Sequence, residues 1–165
     1  MAVDIKSPKE IDLMRAVCQL AADTLLVVGE KLRVGMTTEE INEIVHADTL
    51  RQGARPAPLN YKGFPKSVCT SINDVVCHGI PNGTVLKPGD IVNVDITHVH
   101  AGFHGDTSAT FYVGTPSQQA RHVVEVARRA LDEGIAEVRD GARLGDIGAA
   151  IQEYVEGQGC SVVRD

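Results

Sequence analysis

The chain has 165 residues, a formal net charge of −6 and a pI near 5.5, with 43% hydrophobic residues, 4% aromatic residues and no tryptophan. That length suits a single domain with an aliphatic core, and the acidic balance argues against a nucleic-acid-binding surface. No apolar run is long enough to span a membrane, and the start Met-Ala-Val-Asp-Ile-Lys lacks a signal-peptide pattern.

Ser7-Pro-Lys-Glu10 is a capping box with proline at the first helical position. Ile11, Met14, Cys18, Ala21, Leu25 and Val28 follow at helical spacing, so a core-packed helix is predicted over 8–33. Thr37-Thr-Glu-Glu40 caps a second helix, over 38–52, carrying Ile41, Ile44, Val45 and Leu50. Gly53-Ala-Arg-Pro-Ala-Pro58 breaks it and leads into antiparallel strands between 66 and 113. Pro116-Ser117 opens a third helix, 117–139, with Val123, Val124, Ala127, Leu131 and Ile135 on its apolar side. A fourth, 144–157, carries Leu144, Ile147, Ile151 and Val155. No linker or low-complexity run intervenes, so residues 1–165 read as one α+β domain. The helical pattern recurs: Gly35, Ile41 and Gly53 return as Gly141, Ile147 and Gly159, each 106 residues on. Strands follow the first copy, whereas the sequence stops soon after the second.

Chemistry concentrates between residues 78 and 106. Asn93-Val-Asp-Ile-Thr-His-Val-His100 and Gly102-Phe-His-Gly-Asp-Thr-Ser108 read as a hairpin turning at His100-Ala101. In that register Val99 faces Gly102 and Asp95 lies directly opposite Asp106. Two opposed carboxylates repel unless a proton or a cation lies between them; carboxylate oxygens, joined by imidazole, suit divalent metals. A register off by one residue would instead make one of them a solvated turn residue. Four of the six histidines, His78, His98, His100 and His104, crowd this region. His104 shares the face of Asp106 and Thr97 that of Asp95, while His98 and His100 point away and are expected at the surface. His78 lies in Val75-Val-Cys-His-Gly-Ile-Pro81, a loop suited to a catalytic or a structural role. Cys18, Cys69, Cys77 and Cys160 have neither disulfide-framework nor zinc-finger spacing and read as reduced thiols of a cytoplasmic protein. Neither Cys69 nor Cys77 has an evident base that would make it a nucleophile.

The run Asn60-Tyr-Lys-Gly-Phe-Pro-Lys-Ser-Val-Cys-Thr-Ser-Ile-Asn-Asp-Val-Val-Cys-His-Gly-Ile-Pro81 resembles type I methionine aminopeptidases, as do Asp90-Ile-Val-Asn-Val-Asp95 and Gly102-Phe-His-Gly-Asp-Thr-Ser108. The resemblance spans essentially the whole chain. It implies the N-terminal portion of the pita-bread (creatinase and aminopeptidase) fold, an antiparallel curved sheet with helices on one face. It implies removal of N-terminal methionine from nascent chains at the ribosome, with no membrane partner. Asp95 and Asp106 would be metal ligands in a site holding two divalent ions, Co, Mn, Fe or Zn. His78 would contact the substrate near the scissile amide, and Tyr61, Phe64 and Cys69 would line the methionine pocket. In the family one histidine and two glutamate ligands, with a second catalytic histidine, belong to a C-terminal portion, whereas this sequence stops at Ser161-Val-Val-Arg-Asp165. The expectation is therefore at most one weakly held ion, and an exposed sheet that invites self-association or low stability. The alternative reading is an inactive or fragmentary relative that binds a peptide or partner.

Overall fold

A computed structural model describes residues 4–163; residues 1–3 of the start read for a leader pattern, and 164–165 at the end of the sequence, lie outside the described residues. The chain divides into two compact units, Met1–Pro116 and Ser117–Asp165.

In the first unit both capping boxes form as the sequence predicts. The Glu10 amide donates to Ser7 Oγ at 3.4 Å and the Ser7 amide to Glu10 Oε2 at 2.7 Å, opening helix α1, Pro8–Lys31. The Thr37 amide donates to Glu40 Oε2 at 2.6 Å and the Glu40 amide to Thr37 Oγ1 at 3.1 Å, opening α2, Thr38–Arg51. The strands are β1, Arg55–Pro56, β2, Cys69–Ile72, β3, Ile91–His100, and β4, Phe103–Tyr112. All pair antiparallel around β3: β4 runs along one edge, while β2 and β1 share the other. The two-residue β1 falls before the stretch predicted to hold strands.

Alternation along β3 divides its two faces. Val92, Val94, Ile96 and His98 are fully buried, whereas Asp95 and Thr97 between them are partly open. The buried side meets α1, and the core joins Ala21 and Val28 of α1 to Ile41 and Val45 of α2, with Val68, Leu86 and Val113. Each fully buried valine, isoleucine or leucine among them contributes about 1.5–3 kcal/mol by leaving water. The buried stripe of α1 is Val17, Ala21, Thr24 and Val28. It is rotated by about one residue from the predicted one: Ile11 and Cys18 stay exposed. Leu50 of α2, predicted inward, is also exposed.

The rotation brings Thr24 to His98, and here the structure corrects the sequence reading. His98 was expected at the surface because it points away from the carboxylates, but that face lies beneath helices. His98 Nε2 sits 3.0 Å from Thr24 Oγ1 and 3.4 Å from Thr49 Oγ1. Thr24 Oγ1 donates to Asp48 Oδ2 at 2.8 Å. His100 is partly exposed, as expected, with Nδ1 3.3 Å from the Gly53 carbonyl. Burial holds the His98 imidazole below its ordinary 6.5. Burial pushes the Asp48 carboxyl up, but hydrogen bonds from Arg51, Thr24 and Gln52 outweigh it and hold the group below its ordinary 3.8.

These shifts fix the sign of the acid response. Below pH 6.5 the unfolded chain binds a proton at His98 that the folded chain resists, so stability falls first there. A second loss follows below 3.8 as Asp48 is forced to protonate. Urea unfolding from pH 8 to pH 2 is expected to show both stages, with His98→Gln flattening the first. An unchanged slope in that variant would remove His98 from the account.

The second unit holds α3, Gln118–Ala136, and α4, Leu144–Gly157. Ser117 caps α3 by accepting from the Ala120 amide at 3.1 Å. Val126, Ala130 and Val155 form a small core, backed by Ile151, Tyr154 and Cys160. Gly134 lets the helices meet, since a Cβ there would lie 2.8 Å from Ile151 Cδ1. Val123, Leu131, Ile135 and Leu144, predicted on the apolar side, are instead exposed. The 106-residue repeat is structural as well: the bounds of α4 reproduce those of α2 at that offset. Its paired glycines share a left-handed backbone, with φ of 84° and 82° at Gly35 and Gly141 and of 71° and 73° at Gly53 and Gly159.

Candidate active site

The carboxylate pair is set by the β3–β4 hairpin. Its turn is Ala101-Gly102, with φ of 50° and 85°, the left-handed pair that a type I′ turn requires. The predicted turn lay one residue earlier and would have left the glycine in a strand. His100 therefore pairs with Phe103, Asp95 with Ser108 and Thr97 with Asp106, which corrects the predicted Asp95–Asp106 pairing. The partner shifts by two residues, so both carboxylates keep a common face and meet diagonally. Burial, then repulsion from Asp106 and a hydrogen bond between the two carboxyls, push the Asp95 carboxyl up, against the opposing pull of His78.

Cys69 pairs with Asp95 across the other edge of β3. Burial and the neighbouring carboxylates push its thiol to about 11, so it stays protonated near neutral pH and serves as a soft apolar wall. His78 is brought in by the glycine after it. The Thr70 amide donates to the Gly79 carbonyl at 2.8 Å, and the Gly79 amide to Ser71 Oγ at 3.2 Å. A Cβ on Gly79 would lie 2.1 Å from the Thr70 carbonyl oxygen, so only glycine allows this approach. His78 itself has φ 55°, a conformation that costs a non-glycine residue and gathers at functional sites.

Tyr61 and Phe64 come from a 3-10 turn, Tyr61–Gly63. The Phe64 amide donates to the Tyr61 carbonyl at 2.9 Å and the Asn60 amide to the Phe64 carbonyl at 2.7 Å. Together these segments bound a cleft of about 830 Å³ that brings together all six residues singled out from the sequence: Tyr61, Phe64, Cys69, His78, Asp95 and Asp106. His104 and Thr97 line it too, on the face assigned to them. Lys62 and Ile80 also line it and were not singled out. Their positions next to Tyr61 and two residues after His78 were the available signal.

Two converging carboxylates with no cation of their own between them form a hard-oxygen donor set that fits a divalent ion. They are fewer than such an ion takes. Among the described residues no group of three or more His, Cys, Asp or Glu side chains is arranged to hold one. Among the described residues, too, no helix is long and apolar enough to cross a membrane.

Comparison with known proteins meets this geometry. Methionine aminopeptidase A of a Synechocystis strain is 51% identical over 99% of this chain. The crystal structure of methionine aminopeptidase from Rickettsia prowazekii superposes with a TM-score of 0.98 at 49% identity, over 99% of this chain and 66% of that one. Prolidase from Pyrococcus furiosus shares the fold alone, with a TM-score of 0.82 at 19% identity over 94% of this chain and 44% of that one. The chain spans a little under two thirds of the length of these two bacterial methionine aminopeptidases, 65% for the Synechocystis protein, and 48% of the human mitochondrial methionine aminopeptidase 1D. The model of metallopeptidase family M24 matches residues 12–165, and a divalent-metal requirement comes with that family. With its sequence matched over nearly its full length and its carboxylate pair in a cleft suited to a cation, the chain belongs to metallopeptidase family M24.

Proposed function

We propose that the protein acts in removing N-terminal methionine from new polypeptides in the cytoplasm, with Asp95 and Asp106 as metal ligands. The observation that carries this reading is one cleft joining the two carboxylates and His78 to a pocket of Tyr61, Phe64 and Cys69. In it Asp95 and Asp106 would hold divalent ions of the Co, Mn, Fe or Zn kind, with further ligands needed for two. The bound metal would supply hydroxide near neutral pH and polarise the scissile carbonyl. His78 donates a hydrogen bond near the scissile nitrogen and orients the amide. Tyr61, Phe64 and the protonated Cys69 thiol enclose an unbranched thioether side chain. Binding of a peptide without catalysis is the second reading, favoured by the carboxylate pair's lack of a third ligand among the described residues.

Titration with peptides differing only in their first residue tests both. A methionine start is expected to bind about tenfold or more tighter than an aspartate start, which would enter an apolar pocket beside two carboxylates. His78→Ala should slow any metal-dependent methionine release by about 10²-fold or more while leaving that discrimination. Equal binding of both peptides would end the proposal; discrimination without release at saturating metal would select the second reading.

A further inference from the structure

We infer that Asn42 and His46 of α2 are positioning residues for the methionine pocket: they fix the spacing of its lining side chains, and so its preference for an unbranched first side chain over a branched one. The inference rests on the methionine-pocket reading and adds to it the residues that set selectivity. Phe64 and Cys69 line the cleft, yet residues 64–68 lie in no helix or strand, and β2 begins only at Cys69. Strand pairing therefore does not place Phe64, and side chains of α2 hold the segment instead.

Ser67, 2% exposed and outside the cleft lining, is the point they hold. Its amide donates to Asn42 Oδ1 at 2.9 Å, and its Oγ lies 2.8 Å from His46 Nδ1. Beside it, Lys66 Nζ is 2.6 Å from Glu39 Oε2, while Asn42 Nδ2 donates to Glu39 Oε1 at 3.0 Å. Glu39, Asn42 and His46 follow one another at steps of three and four residues, so one side of α2 meets the segment in consecutive turns.

A second cleft-lining segment ends on the same helix. Ile80 lines the cleft, and two residues later the Asn82 carbonyl accepts from the Glu39 amide at 2.8 Å and from Thr38 Oγ1 at 2.9 Å. The Asn82 amide donates back to Thr38 Oγ1 at 2.9 Å. Two lining segments are thus tied to one rigid element, and loosening one lets it shift against the other. A slack of about 1 Å in the support of a site is enough to blunt it. Apolar pockets with fixed walls tell side chains apart by one methylene, at about 10–200-fold.

The test is fluorescence anisotropy with Met-Ala-Ala and Ile-Ala-Ala, labelled at the C-terminus and read well below each variant's Tm. The quantity read is the ratio of the two Kd values within a variant, which an unfolded fraction scales alike and leaves unchanged. The wild type is expected to bind the methionine start about tenfold tighter. His46→Ala and Asn42→Ala should each lower that ratio by about threefold or more. His46 is partly exposed, so its truncation tests the wall without emptying the core. His46→Asn keeps a hydrogen-bonding group near the place of Nδ1, and Asn42→Asp keeps the acceptor, so both should retain the wild-type ratio. His46→Ala and Ser67→Ala should not add, because they break the same bond. Glu43→Ala, exposed on the same helix, should leave the ratio alone. A wild-type ratio in both alanine variants of α2, or a ratio lost as fully in His46→Asn as in His46→Ala, overturns the inference. An aspartate start is read in parallel. A wild type that ranks methionine above aspartate but not above isoleucine overturns the inference alone; one that binds all three alike ends the pocket reading and the inference with it.

Discussion

Replacing Gly105 with alanine is expected to destabilise the first unit by about 1–3 kcal/mol or more and to weaken metal binding in the molecules that remain folded. A Cβ at this position would lie 2.5 Å from the Val17 carbonyl oxygen, 2.6 Å from its carbon and 2.7 Å from the Cys18 nitrogen. All three atoms belong to the backbone of α1, so no side-chain rotation relieves the overlap. Helix and strand must separate, and the strand that moves carries Asp106 in the next position. For a chain of this size each kcal/mol lowers Tm by about 2–4 °C. Gly83→Ala is the control, because a Cβ there meets nothing within 4 Å and the backbone is not left-handed. That change should be neutral or stabilise by up to about 1 kcal/mol through the unfolded state. Thermal melts of the two variants, with metal titration of Gly105→Ala, decide the matter. If Gly105→Ala melts with the wild type, the close approach of α1 and β4 does not position the site.

What could be read from the sequence was what depends on neighbours along the chain. Ser7 with Glu10, and Thr37 with Glu40, mark helix starts because the hydrogen bonds that make them are local. The common face of Asp95 and Asp106 survived a wrong register, since a shift of two residues preserves strand parity. The turn was misplaced because a loop at His100-Ala101 looks plausible until its dihedral angles are considered. A type I′ turn needs two left-handed residues, and glycine belongs in it. The resemblance to methionine aminopeptidases supplied Tyr61, Phe64 and Cys69 and chose the catalytic role for His78, which no local pattern joins to them; the cleft joins all four through β2, the 3-10 turn and the loop after Cys77. His98 was misread for the opposite reason. An alternating strand says which residues share a side, not which side the helices cover. Nothing local to His98 announces Thr24, 74 positions away. Gly79 and Gly105 are likewise silent in sequence, since their role is to admit a distant backbone.

Neutralising either carboxylate of the pair is expected to move stability in opposite directions with and without metal. In the metal-free protein the half-buried Asp95 carboxyl bears burial, the repulsion of Asp106 and a hydrogen bond with it, all of which disfavour its charge. Asp95→Asn or Asp106→Asn removes that repulsion at nearly constant size, and should raise metal-free stability by up to about 1 kcal/mol. The same changes remove half of the charge that attracts a cation. Saturating Mn or Co should therefore stabilise the wild type, by about 2.7 kcal/mol at a hundred times Kd, and leave both variants unmoved. Thr97→Ala, on the same cleft face but without charge, should keep the metal response. Paired melts across a metal titration read both effects at once. A structural pair sharing a proton predicts a different pattern: the asparagine amide donates to the remaining carboxylate in place of the shared proton, so neither variant gains stability without metal, and the wild type gains none from metal. Opposite signs across the two conditions belong to a site that gives up stability in order to hold a cation, as the pairing of two acids on one face of β3 and β4 requires.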